Sequence, residues 1–214
     1  MNLRACGWMV LVCASAASAG IVGVGGSVVH IQAPASAEPN ALTSTWIHAW
    51  NEKQGVVLEH SLVVNAAQPG TYQYETDLSP AAIMSGTVVN SHYIHFDTPG
   101  EDELILSGWV TFDAPILGVI AAGDNPGWNL LESTDFLGAP GTLYPGGLKH
   151  RGLELPNGID TFTISQDRMT LIIDQFRVVK PGDHVRVITE TVPAPGALTL
   201  AGLGGLLALG RRRR

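Results

Sequence analysis

The chain has almost no cysteine and little charge. Its 214 residues hold two cysteines, Cys6 and Cys13, both close to the N-terminus. Everything after them lacks a thiol, so disulfide staples, thiolate metal sites and cysteine catalysis are excluded there. Charged residues make up 14% of the sequence and aromatic residues 7%, against 25 glycines and 13 prolines, a balance that favours short strands and turns over helices. Basic residues are scarcer than acidic ones. Of 12 lysines and arginines, Arg4 and Arg211 to Arg214 sit at the chain ends, while all 19 acidic residues lie between them. The region between the ends therefore carries 7 basic and 19 acidic residues, a net −12. Such a surface repels phosphate backbones, which argues against nucleic acid, and it accommodates divalent cations, basic partners or neutral glycans. Nucleotide-binding fingerprints are also missing. So is a nucleophile elbow: Met84-Ser85-Gly86 lacks the G-x-S-x-G frame.

Long hydrophobic runs are absent as well, but both ends carry short ones. Arg4 precedes the apolar stretch Trp8 to Cys13, small residues continue it, and Ala17-Ser18-Ala19 forms an A-x-A cleavage site. This pattern predicts a secretory signal peptide over 1–19, read by the Sec translocon, with Gly20 as the new N-terminus. At the other end, Val192-Pro193-Ala194-Pro195-Gly196 leads into an uncharged stretch from Ala197 to Gly210, closed by Arg211, Arg212, Arg213 and Arg214. Fourteen helical residues would reach roughly 21 Å, short of a hydrocarbon core of about 30 Å. The arginines would stay cytoplasmic by the positive-inside rule.

The layout of Pro193, Ala194 and Pro195, an apolar helix and a basic end resembles the PEP-CTERM sorting signal, also catalogued as the ice-binding protein C-terminal domain. Alanine stands where the family's motif has glutamate. The resemblance implies an exosortase-type processing protease as partner and transient anchoring in the inner membrane. Arrival at the cell surface or in an exopolysaccharide-rich matrix would follow. The region between the ends is similar to a group of uncharacterised bacterial exported proteins, through stretches such as Asn90-Ser91-His92-Tyr93-Ile94-His95-Phe96-Asp97 and Pro181-Gly182-Asp183-His184-Val185-Arg186. That group brings no activity with it.

Alternation of apolar residues with period two marks strands. It places Leu104, Leu106, Val110 and Phe112 on one face, and Ile94 with Phe96 on another. Val56 to Val64, Thr71 to Glu75, Ile116 to Ala121, Thr161 to Ser165, Thr170 to Val179 and Val185 to Thr191 read as further strands. Turn sequences such as Gln68-Pro69-Gly70 and Pro156-Asn157-Gly158 separate them. The expected fold is all-β, an antiparallel β-sandwich or jelly roll, flanked by the signal peptide and a short C-terminal hydrophobic helix. Expected boundaries are 1–19 for the signal peptide, 20–40 for a first strand (Ser27 to Gln32) with linker, 41–191 for the sandwich and 192–214 for the sorting tail. Trp46, Ile47 and Trp50 fit one face of a helix, and Asn129 to Leu137 suffices for two helical turns.

Several constellations invite chemistry. His92, His95 and Asp97 suggest a metal, but alternation sends His92 to the face opposite His95 and Asp97, so the three cannot converge. Asp97, Glu101, Asp102 and Glu103 crowd four carboxylates around Pro99-Gly100, the best sequence candidate for a weak Ca²⁺ site. Glu52, Glu154 and Asp160 are the candidate acids for a glycosidase pair, chosen because they adjoin aromatic or glycine-rich stretches. Trp46, Trp50, Trp109, Trp128, Tyr72, Tyr74, Tyr93 and Tyr144 can stack on sugars or fill a core. Trp109 is assigned to the core and Trp128 to an exposed loop. The expectation is a non-enzymatic surface or matrix protein with no resident cofactor beyond weak Ca²⁺. A secreted carbohydrate-binding module or glycan-active enzyme is the alternative.

Overall fold

A computed structural model describes residues 20–100, 102–121, 130–147, 151–155, 159–178 and 182–191. The proposed signal peptide with Ala17 and Ala19, the tail with Pro193, Ala194, Pro195 and the arginines, and also Glu101 and Trp128, lie outside the described residues. Among the described residues, no helix is long and apolar enough to cross a membrane.

The fold is mostly β. Its strands are β1 (Ile21–Gly26), β2 (Val28–His30), β3 (Ile47–Asn51), β4 (Val56–Val57), β5 (Leu62–Val64), β6 (Gly70–Tyr72), β7 (Ala81–Ile83), β8 (Val88–Phe96), β9 (Leu104–Phe112), β10 (Ile116–Ile120), β11 (Thr161–Ile164), β12 (Thr170–Val178) and β13 (Asp183–Glu190). They form a five-stranded sheet of order β1-β9-β12-β11-β6 and a six-stranded sheet that runs β10-β13-β8-β3-β2, with β4 also paired to β8. A small β5-β7 pair stands apart. Among these strands every pairing is antiparallel except β2 with β3. The helical elements among the described residues include α1 (Leu130–Ser133) and short 3-10 turns at Glu75–Asp77 and Asp135–Leu137.

One core joins the two large sheets. Val110, Phe112, Phe162, Leu171, Ile173 and Phe176 face Ile47, Ile94, Phe96, Val185 and Val187 within a single cluster. This arrangement is consistent with the expected sandwich. The five-stranded sheet then alternates as a half-buried sheet should, with the even residues of β9 inward and the odd ones more exposed.

The six-stranded sheet behaves differently. In β8 every residue after Val88 is buried, and in β13 every residue before Glu190. Its second face lies under a cover made by the β5-β7 pair, α1 and the segment that follows. Trp50, Val89, Tyr93 and Ile188 from the sheet meet Leu58, Leu62, Val64, Ile83, Leu131 and Leu137 from the cover in a second apolar cluster.

Three local expectations change. The Trp46–Trp50 stretch is strand β3, not helix: Ile47 and Ala49 enter the first core while Trp50 enters the second. A segment buried on both faces shows no clean alternation, so helical spacing appeared by chance. The Val56 to Val64 run is broken into β4 and β5. The Gly20–Asn40 stretch contributes β1 and β2, one to each sheet. The chain crosses between the sheets where Gly26 faces Gly108, and a Cβ on Gly108 would sit 2.5 Å from the Gly25 carbonyl oxygen.

Candidate functional site

Charge is scarce in this chain, yet two of its arginines are completely buried. Arg186 lies on the cover face of β13, between the apolar residues Val185 and Val187 of the opposite face. Its Nε donates to Glu52 Oε2 at 2.7 Å and its Nη2 to Glu52 Oε1 at 2.9 Å, a bidentate pair with both side chains fully buried. Nη1 donates to the Leu131 carbonyl at 2.9 Å and to Thr134 Oγ1 at 2.7 Å, and Nη2 also reaches Asp135 Oδ1 at 3.0 Å. Asp135 in turn accepts from Arg151 Nη1 and Nη2, each at 2.8 Å. Arg151 closes the network on the Tyr93 hydroxyl, at 3.1 Å from Nε and 2.7 Å from Nη2. Ser91 adds a 2.5 Å hydrogen bond to Glu52.

Burial opposes the charge of Arg186, but the Glu52 carboxylate outweighs it and holds the guanidinium pKa above its ordinary value. Burial pushes the Tyr93 hydroxyl up to about 12, against the pull of Arg151 and Arg186. Glu52, a sequence candidate for acid-base work, is thus committed to an ion pair. Its neighbour Lys53 borders a surface groove of about 810 Å³, with Glu59, His60, Ser61 and Phe136 along it.

Beside this network runs a row of histidines. His48 of β3 faces His95 of β8, which faces His184 of β13. His95 and His184 approach at 3.3 Å through their Nδ1 atoms. His92 takes the opposite face, as alternation predicted, and bonds Asn51 at 2.8 Å and Thr189 at 3.1 Å. Burial, with His30 adding to it, lowers the His92 pKa to about 3; burial, with His48 adding to it, lowers that of His95 to about 4. His184 is driven well below its ordinary value by burial, then by His95, Arg151 and Arg186.

In the acidic turn, Asp97 and Glu103 each have a partner of their own. Asp97 is buried and its Oδ2 accepts from the Asn40 amide at 2.7 Å. Glu103 pairs with Arg177 at 2.6 Å. A different set of carboxylates does converge: Glu154, Asp160 and Asp183 each offer an oxygen within 4.8 Å of the others. Sequence reasoning named Glu154 and Asp160 without the third. Burial, then the charges of Asp160 and Glu154, raise the Asp183 carboxyl well above the usual range.

The five-stranded sheet carries the other feature of interest on its outer face. Trp109 is 40% exposed, so its assignment to the core is overturned. The alternation that turns Val110 and Phe112 inward turns Trp109 out, and the size of the indole does not override it. The ring lies across the glycines of β1. A Cβ on Gly25 would fall 2.5 Å from the ring atoms Cε2 and Cζ2, and one on Gly23 3.2 Å from Cζ3. Across the sheet the same row continues through Ile172, Thr163 and Thr71. One hydroxyl pair ends the row, Thr71 with Thr163 at 2.8 Å, and another lies beside it, Thr111 with Thr170 at 3.0 Å. Asp174 accepts from Thr163 at 2.7 Å. The result is a flat apolar ring on a bed of backbone, bordered by fixed polar groups. Trp50 and Tyr93 are buried, while Trp46 and Tyr74 are about half exposed at 49% and 46%.

No family model, curated protein or solved structure matches the chain.

Two outcomes follow for the buried charges. Glu52→Gln removes the bidentate countercharge of Arg186, leaving only Asp135, which Arg151 shares, and should cost about 3–5 kcal/mol, whereas Glu52→Gln/Arg186→Met should recover most of that loss. Urea unfolding of the single and double variants measures both. His92, His95 and His184 set the acid limb of stability. Their folded pKa values lie below the unfolded value of about 6.5, so their contribution is complete above it and is lost as pH falls towards 4. Asp183 acts in the opposite sense, its contribution being present below the unfolded carboxyl value and lost as pH rises. Stability should therefore drop between pH 6 and 4.5, by about 1.4 kcal/mol per pH unit for each net proton taken up on unfolding. The drop should steepen in Asp183→Asn, as followed by chemical denaturation across that range.

Proposed function

We propose that this chain is an exported, non-enzymatic surface protein that holds an extracellular glycan on the outer face of its five-stranded sheet. The observation that carries the glycan reading is the indole of Trp109, spread over Gly23 and Gly25 with its free side to solvent. A sugar ring presents an apolar face of axial C–H groups, which stacks on such a surface, while its hydroxyls reach outward to hydrogen-bonding groups at the edge. Thr71 and Thr163 at the end of the row, and Thr111, Thr170 and Asp174 beside it, supply those groups. The net −12 of the region between the ends favours neutral glycans over acidic ones. Export is supported by the A-x-A site at Ala17 and Ala19 and by the tail that resembles an exosortase-processed signal. The non-enzymatic reading rests on Glu52 being held by Arg186.

The binding claim is tested by affinity electrophoresis in gels cast with a panel of neutral and acidic polysaccharides. Trp109→Ala should weaken retardation at least tenfold and leave the melting temperature nearly unchanged. Loss of retardation in Phe136→Ala with Trp109→Ala unaffected would move the site to the groove beside Lys53. The export claim has a separate test, intact-mass measurement on protein from the native cell surface. The expected species begins at Gly20 and lacks Arg211 to Arg214; recovery of both ends intact would reject the processing.

A further inference from the structure

The carboxylates of Glu154, Asp160 and Asp183 come from different parts of the fold. Asp183 opens β13, opposite Phe96 of β8. Gly182 sets it there with φ +93°, and a Cβ at that position would lie 2.8 Å from the Phe96 carbonyl oxygen, so only glycine lets the strand begin so close to its neighbour. Asp160 precedes β11 and is fully buried. Its oxygens are oriented by backbone amides, Oδ2 by Glu154 at 2.7 Å and Oδ1 by Arg177 at 2.9 Å. The first of these bonds also fixes the backbone of Glu154, whose side chain forms the more exposed rim of the cluster.

Acidic clusters are common on protein surfaces and usually face water. This one does not. Asp183 is only 3% exposed, and among the described residues its Oδ2 has no hydrogen-bond donor. A buried carboxylate oxygen with no partner costs more than an exposed one, and here its carboxylate lies within 4.8 Å of two further acids. Arg177, whose charge acts on Asp160, turns its guanidinium to Glu103, with Nε and Nη2 each 2.6 Å from Oε2.

We infer that Glu154, Asp160 and Asp183 form a Ca²⁺ site. The donor set is all oxygen, which suits a hard cation and excludes the imidazole and thiolate sites of zinc or copper. Two Ca–O bonds of about 2.4 Å span the 4.8 Å within which the three oxygens lie, whereas Mg²⁺, at about 2.0–2.1 Å in a strict octahedron, calls for a tighter set. One oxygen from each carboxylate leaves the remaining positions of a six- to eight-coordinate ion to water or backbone carbonyls. The ion ties the segment before β11 to the first residue of β13, and so links a strand of the five-stranded sheet to one of the six-stranded sheet. The role is structural, and it stands apart from the glycan face.

The test is a melting curve of the whole protein after chelator treatment, with CaCl₂ or MgCl₂ added, followed by calorimetric titration. A rise in melting temperature at millimolar Ca²⁺, smaller with Mg²⁺, is expected, with a dissociation constant on the order of 10⁻⁴ M as in extracellular modules. Asp183→Asn should fold and lose the Ca²⁺ response. If that variant is too unstable, Glu154→Gln at the rim should raise the dissociation constant at least tenfold. Asp102→Asn, on the separate acidic turn, should leave the response intact. Absence of a Ca²⁺-dependent shift, an equal shift with Mg²⁺, a shift that survives both Asp183→Asn and Glu154→Gln, or one abolished by Asp102→Asn would each overturn the assignment.

Discussion

The bidentate pair between Arg186 and Glu52 is the contact around which the rest is arranged. It joins β13 to the residue just beyond β3, and the spare donors of the same guanidinium hold Leu131, Thr134 and Asp135 of the cover. Through Asp135 it reaches Arg151, and through Arg151 the hydroxyl of Tyr93 in β8. Burying such charges is expensive, and an apolar replacement of equal volume often gives equal stability. What the pair adds is selectivity. Only one docking of the cover satisfies all five donors of Arg186 and leaves no charge stranded, so a shifted cover is strongly disfavoured.

That arrangement divides the two sheets by character. One is sealed on both faces and filled with interlocked aromatic, histidine and arginine side chains, including Tyr93 flanked by Arg151 and Arg186 at 5.7 and 5.0 Å from its ring. The other is packed on one face only and offers glycine, threonine and a single large ring to solvent. Titratable groups with displaced pKa values are often read as catalytic. Here Tyr93, His95 and His184 are buried and lie in or beside the arginine network, while the outer face proposed for glycan binding carries Asp174 beside its threonines.

How much of this the sequence disclosed depends on the range over which each signal acts. Strands β9, β12 and β13 were legible because alternation is a local pattern. Strand β1 was missed: Ile-Val-Gly-Val-Gly-Gly lacks the side chains that reveal a period, and its glycines make sense only once Trp109 is seen resting on them. Trp109 itself was readable, since its position in the alternation was correct and only the argument from size misled. The ion network was not, because Glu52 and Arg186 are 134 positions apart and nothing near either residue signals the other. A faint clue was present in the basic residue within Val185-Arg186-Val187-Ile188, since a charge inside an otherwise apolar strand must find a partner. Glu154 and Asp160 drew attention for a weak reason, and Asp183 joins them only through the strand order.

The strand order also bears on how the chain reaches this state. In the two large sheets, β11 with β12 is the single antiparallel pair formed by strands adjacent in sequence among the described residues. All the other antiparallel partners lie far apart; β1 must wait for β9, with Ile21 meeting Phe112. High contact order of this kind slows folding to milliseconds or seconds, because loop closure has to precede the reward of pairing. During that interval the waiting strand is exposed to other copies of itself. A segment that is half glycine is a poor template for intermolecular cross-β growth. The residues that make room for an indole in the finished sheet thus also guard the unfinished chain against aggregation.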